Sequence, residues 1–147
     1  RHSIKWMKKE DLDVSAVCCI YATAPFIGVG DLIKAYENFQ SNDWEYVFSA
    51  TKYSHPIQRS FRLKNDKSVE MFYPDKFAER SQELEQAYHD AGQFYWGKTD
   101  AWLNNKVIFS GKSSLFIIPH QRVVDIDTKE DWERAEIIMK LKANRPH

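Results

Sequence analysis

A single α/β domain is the fold class this sequence predicts, and three observations predict it. Residues 15–22, around Ala16-Val17-Cys18-Cys19-Ile20-Tyr21, form a continuous apolar run that reads as a strand buried on both faces. An amphipathic stretch follows, starting at Asp31 and reaching about Asn42, with Leu32, Ala35, Tyr36 and Phe39 on one face. Tyr46–Thr51 is then a second strand. Strand, helix and strand at this spacing make a βαβ unit with a parallel pair. The length of 147 residues fits one domain.

The remaining elements follow in order. Residues 1–9 read as the end of a helix. Thr23-Ala24-Pro25-Phe26 breaks the first strand. Phe61–Lys64, Asn65-Asp66-Lys67 and Ser68–Phe72 read as a hairpin with alternating polarity. Residues 74–92 are polar and carry no firm pattern. Gln93–Trp96 predicts a strand, and Thr99–Leu103 a short helix capped by Thr99. Ser114–Pro119 and Arg122–Asp125 predict the last strands. A final helix runs from Lys129 to about Ala143, with Thr128 as N-cap, Asp131 in the capping-box position, and an apolar face of Trp132, Ala135, Ile138 and Met139. There is no internal repeat and no low-complexity segment.

Composition narrows the function. Lysine plus arginine equals aspartate plus glutamate at 21 each, which argues against a general nucleic-acid binder while leaving room for a small anionic ligand. No apolar run approaches the roughly 20 residues of a membrane span. Cys18 and Cys19 are adjacent, match no zinc or redox spacing, and read as buried reduced thiols, which fits a cytoplasmic protein. The chain opens on Arg1-His2-Ser3-Ile4 with neither signal peptide nor initiator Met, so we expect a piece of a longer protein.

Asp125-Ile126-Asp127 carries the strongest chemical signal. At a strand end, residues two apart share a face, so the two carboxylates project together while Ile126 turns into the core. Such a pair can hold Mg²⁺, which needs only one or two carboxylates plus phosphate oxygens. Taken alone, the same residues also read as solvated strand-end side chains or as a helix cap.

Three segments together resemble the CMP-sialic acid synthetase family of sugar-acid cytidylyltransferases: Ile20–Phe26, Ala91-Gly92-Gln93-Phe94-Tyr95-Trp96, and Val123–Glu136 with its Asp-Ile-Asp-Thr. The Ala-Thr-Ala-Pro-Phe turn is closer to the branch that handles pseudaminic acid than to the sialic acid branch. The resemblance runs from Ala16 to Leu141. It implies a Rossmann-like nucleotide-diphospho-sugar transferase fold, a three-layer α/β/α arrangement on a mixed sheet. It also implies transfer of a nucleotidyl group from CTP to the anomeric hydroxyl of a nine-carbon sugar acid, for surface glycan or flagellin glycosylation. Asp125 and Asp127 become the expected Mg²⁺ ligands and catalytic residues. Thr23, Ala24, Pro25, Arg80, His89 and Gln93 become the expected substrate contacts. The family usually has a glutamine where Tyr21 stands, a departure that implies altered sugar contacts.

The family's Gly- and Arg-rich triphosphate loop has no counterpart. Gly28 and Gly30 are the one close glycine pair, without the residues of a phosphate loop. We therefore expect the C-terminal two-thirds of one cytidylyltransferase domain, with residues from about 58 to 92 forming an arm of a homodimer. Taken by itself, such a chain is expected to be catalytically silent. The alternatives left open are a sugar-binding and dimerisation fragment, and a synthetase for CMP-sialic or CMP-legionaminic acid.

Overall fold

The computed structural model describes residues 1–143. Four strands form a mixed sheet in the order β1, β5, β2, β6: β1 is Ala16–Ile20, β2 Tyr46–Lys52, β5 Tyr88–Lys98 and β6 Ser113–Ile117. The short strands β3 (Phe61–Leu63) and β4 (Val69–Met71) make a separate two-stranded hairpin. Helices α1 (His2–Lys9), α2 (Val29–Ser41), α3 (Thr99–Leu103) and α4 (Lys129–Ala143) complete the architecture.

The βαβ expectation is half right. Strands β1 and β2 run in the same direction, but they are not neighbours. β5 lies between them, antiparallel to both, while β6 joins β2 in parallel. Only Gln93–Trp96 was legible as strand. The polar residues before it belong to the same strand, whose centre is shielded on both edges.

The core lies between this sheet and α2. Ala35 and Phe39 of α2 pack with Val47, Phe94 and Ile118, with Leu32, Tyr36 and Trp96 at the margin. The apolar face read from the sequence therefore does what its spacing requires. On the other face α3 comes very close. A methyl at Gly97 would stand 2.5 Å from Trp102 Nε1 and 2.6 Å from a Tyr46 ring carbon, so only glycine admits this packing.

Other expectations need correction. β1 is not buried on both faces. It is an edge strand, with Cys19 and Ile20 exposed, so the paired-buried-thiol reading holds only in part: Cys18 is half-buried, and desolvation lifts its thiol to about 11. Thr99 does not cap α3. Lys98 occupies the N-cap, and the Thr99 hydroxyl donates instead to the Val14 carbonyl. Arg122–Asp125 is not a strand. His120–Arg122 forms a single 3₁₀ turn, and the chain beyond it is extended but pairs with no strand. Within α4, Ala135 is buried, whereas Trp132 and Met139 are 57% and 44% exposed.

Candidate functional site

The carboxyl ends of β1, β2 and β6 share one end of the sheet, the end where β5 begins. Loops leaving the carboxyl ends of strands are where open α/β sheets bind ligands. Two of those loops carry sequence-predicted residues here.

The first leaves β1. The Tyr21 amide still donates to the Gln93 carbonyl at 2.9 Å, and the chain then turns through Thr23-Ala24-Pro25. Thr23 and Pro25 are exposed and Ala24 is half-buried. Phe26, only 2% exposed, anchors the turn in a second small core with Val124 and Ala135. Between this turn and α4 lies a cavity of about 300 Å³, lined by Thr23, Pro25, Ile126, Trp132, Glu136 and Met139 among others.

The second loop carries the acid pair. Val124 is buried, Ile126 half-buried, and Asp125 and Asp127 are both exposed. The alternation predicted from the spacing is present, although no strand produces it: the buried Val124 and the inward Ile126 hold the segment by its apolar side. Asp125 and Asp127 form no ion pair among the described residues. The next acid is differently occupied. Asp131 Oδ2 accepts from the Thr128 amide at 2.9 Å and from the Thr128 hydroxyl at 2.7 Å, and Thr128 Oγ1 accepts from the Asp131 amide at 3.2 Å. This is the capping box the sequence predicts, and its donors hold the Asp131 carboxyl below the usual carboxylate range.

Among the described residues no cluster of three or more histidine, cysteine or acidic side chains could hold a metal. A pair of unengaged carboxylates still fits Mg²⁺, which ordinarily keeps waters and takes phosphate oxygens from its substrate.

The other predicted residues are dispersed. His89 is half-buried, its ring 4.7 Å from that of Tyr53 and its Nδ1 2.9 Å from the Asp90 carbonyl oxygen. It lines a different cavity, of about 340 Å³, with Phe48, Tyr53, Tyr88, Asp90 and Phe109. Gln93 is 2% exposed. Its Nε2 donates to the Arg122 carbonyl at 2.7 Å, and its Oε1 has no partner. Arg80 is exposed in the segment between β4 and β5, and its side chain forms no ion pair among the described residues.

Sequence reasoning missed two groups. Asp90 accepts from the Gly92 amide at 2.9 Å and from the Tyr95 hydroxyl, and the Tyr95 ring lies 5.4 Å from that of Tyr21. Burial and the Asp90 carboxylate both raise the Tyr95 phenol. Gly92 adopts φ +59°, so Asp-x-Gly was a readable turn signal. The second group is Asp31 with Arg122, joined by a bidentate pair at 2.5 and 3.1 Å. Nothing in the sequence brings together two residues so far apart in the chain.

Known proteins resemble the chain along most of its length. It is 42% identical over 141 residues, 96% of its own length, to the pseudaminic acid cytidylyltransferase of Campylobacter jejuni strain 81-176. It is 29% identical over 82% of its length to post-translational flagellin modification protein B of Campylobacter coli. It is 25% identical over 90% of its length to the N-acylneuraminate cytidylyltransferase of Escherichia coli strain RS218. The chain spans 61%, 51% and 32% of the lengths of these relatives, respectively. No protein-family model matches it.

Proposed function

Because the chain belongs, over the span it covers, to the CMP-sialic acid synthetase family, we propose that it is part of an enzyme transferring a cytidylyl group from CTP to pseudaminic acid or a close nine-carbon relative. One observation carries this reading: 42% identity to a pseudaminic acid cytidylyltransferase over 96% of the chain. The anomeric hydroxyl oxygen bonds to the α-phosphorus as the bond to the bridging oxygen breaks. Pyrophosphate leaves, and the hydroxyl proton passes to solvent.

Asp125 and Asp127 are the residues that would hold Mg²⁺, which neutralises charge on the phosphate oxygens when bound. Their placement on an extended segment pinned by Val124 lets them present oxygen atoms without being drawn into the core. Thr23 offers a hydroxyl to the substrate at the β1 turn, and Pro25 stiffens that turn. Arg80, carried by the arm, supplies a donor toward the sugar carboxylate, and His89 is a second candidate donor although it lines a separate cavity within one copy. Around the sheet, the domain is the three-layer arrangement of the nucleotide-diphospho-sugar transferases. The protein works as a homodimer in the cytoplasm, where CTP is made. The product serves surface glycan or flagellin glycosylation, in keeping with the name of the Campylobacter coli relative.

A second reading, in which the 147 residues alone bind sugar acid without turning over CTP, has its own support. None of the five glycines opens a phosphate-cradling loop. Pyrophosphate release from CTP with Mg²⁺ tests both readings, using pseudaminic, legionaminic and N-acetylneuraminic acids. It should be run on the 147-residue chain and on the full product of the reading frame that encodes it. The expected result is CMP-pseudaminic acid from the full product and no turnover from the chain alone. Failure of the full product with every sugar would overturn the first reading, and turnover by the chain alone the second.

A further inference from the structure

The segment bearing the acid pair has no strand beside it, so the sheet does not fix its position. Downstream it is held by the capping box, and its apolar side by Val124 and Ile126 in and against the second core. Upstream, the polar hold comes through Arg122. Arg122 grips in two directions: its guanidinium takes both Asp31 oxygens, at 2.5 and 3.1 Å, and its carbonyl accepts from Gln93 Nε2 at 2.7 Å.

Each of those partners is fixed in turn. Asp31 Oδ2 also accepts from the Gly28 amide at 3.1 Å, at the start of α2. Gln93 is buried in β5, and its amide donates to Ser49 Oγ at 3.1 Å. Ser49 is fully buried where the β2–β5 register shifts, and its Oγ also accepts from the Phe94 amide. The grip therefore runs from the sheet interior and from the end of α2 into one arginine.

The Arg122 and Asp31 side chains are 24% and 15% exposed, less than the corresponding members of any other ion pair among the described residues. Exposed pairs fix little, whereas a sheltered bidentate arginine–carboxylate pair fixes direction as well as distance. Three residue steps, at most about 10 Å of chain, lead from Arg122 to Asp125. We infer that Arg122 is a positioning residue for nucleotidyl transfer: clasped by Asp31 and tied to Gln93, it sets where the Asp125–Asp127 pair stands relative to the strand ends. This rests on the reading of that pair as the metal-holding carboxylates. It also gives buried Gln93 a supporting role in place of a direct substrate contact.

The test uses the full product of the reading frame as Arg122→Met, Arg122→Lys, Asp31→Asn and Asp127→Asn. Three quantities are measured: the urea midpoint, amide hydrogen exchange over residues 123–128, and Mn²⁺ affinity in the presence of CTP by electron paramagnetic resonance. Arg122→Met and Asp31→Asn should speed exchange over 123–128 about tenfold beyond what the change in midpoint accounts for. Both should weaken Mn²⁺ binding roughly tenfold, the scale expected for groups that orient metal ligands. Arg122→Lys keeps the charge but loses the fork, and should recover only part of each effect. Asp127→Asn should weaken Mn²⁺ binding with exchange unchanged. If Arg122→Met does not fold, Asp31→Asn carries the test, since its amide oxygen can still accept from Gly28.

Exchange that merely follows the midpoint, or faster exchange with unaltered Mn²⁺ affinity, would overturn the inference while leaving the acid-pair reading intact. Mn²⁺ affinity indifferent to Asp127→Asn would remove that reading and the inference together, whatever the exchange data show.

Discussion

Asp31 serves two structural purposes with one carboxylate. It closes the start of α2 by accepting the Gly28 amide, and it receives the Arg122 fork. The hydrogen bond from Arg122 is the main reason its carboxyl lies below its usual value. A depressed carboxylate pKa adds stability that is complete above the unfolded value of 3.8 and disappears as pH falls through the lower folded value. Asp31→Asn should therefore cost about 1–2 kcal/mol at neutral pH, a typical figure for charge-assisted hydrogen bonds that are not fully desolvated. That deficit should shrink below about pH 4, because the wild-type protein loses the same interaction there. Urea midpoints of both proteins at pH 7 and near pH 2.5 measure it. A deficit equal at the two pH values would mean that the pair contributes no linked stability. The exposed placement of Asp125, Asp127 and Thr23 was legible because it follows from residues next to them. Asp31 with Arg122, and Tyr95 with Asp90, were not, because each pairing exists only once the strands have been brought together.

Elements were legible where periodicity is local. The apolar face of α2, the β3–β4 hairpin and the capping box of α4 all follow from residues within a few positions of one another. The length of β5 does not. Tyr88-His89-Asp90 looks like loop sequence, and becomes strand because Lys52, Thr51 and Ala50 of β2 pair with it. The edge position of β1 follows from reading the chain as lacking a preceding strand, although its apolar run alone says nothing of its neighbours. The packing of α3 yields a sharper expectation. Gly97→Ala would drive a methyl into the buried Tyr46 ring and the half-buried Trp102 ring, neither the flexible end of a chain. We expect a loss of about 1–3 kcal/mol from overpacking. The urea midpoint measures it, and a variant as stable as the wild type would mean that α3 can move off the sheet without cost.

At the scale of the whole molecule, the hairpin is the part that the main sheet does not explain. Phe61 lies opposite Met71, and Leu63 opposite Val69, so four apolar side chains share one face while Arg62 and Glu70 pair on the other. Phe61, Leu63 and Val69 are 62%, 72% and 64% exposed. An isolated two-stranded ribbon is marginal in water unless something covers it. Our proposal is that a second copy covers it, in a two-fold dimer. Sedimentation velocity should show a dimer for the full product of the reading frame and a monomer for its Phe61→Asp, Leu63→Asp double variant. A wild-type monomer at high concentration would sink the proposal.

The position of β5 also governs the order in which the molecule can assemble. It is the last but one strand of the main sheet in the chain, yet it separates β1 from β2 and pairs Ala16 with Lys98. Within these residues, β1 and β2 cannot pair with β5 until the segment up to Lys98 exists. Closing this part of the sheet therefore spans a long loop before the contacts with β5 reward it. Topologies of this kind refold slowly and expose unpaired strands meanwhile. A strand placed in the middle of this sheet but late in the sequence makes its pairing a late event in refolding.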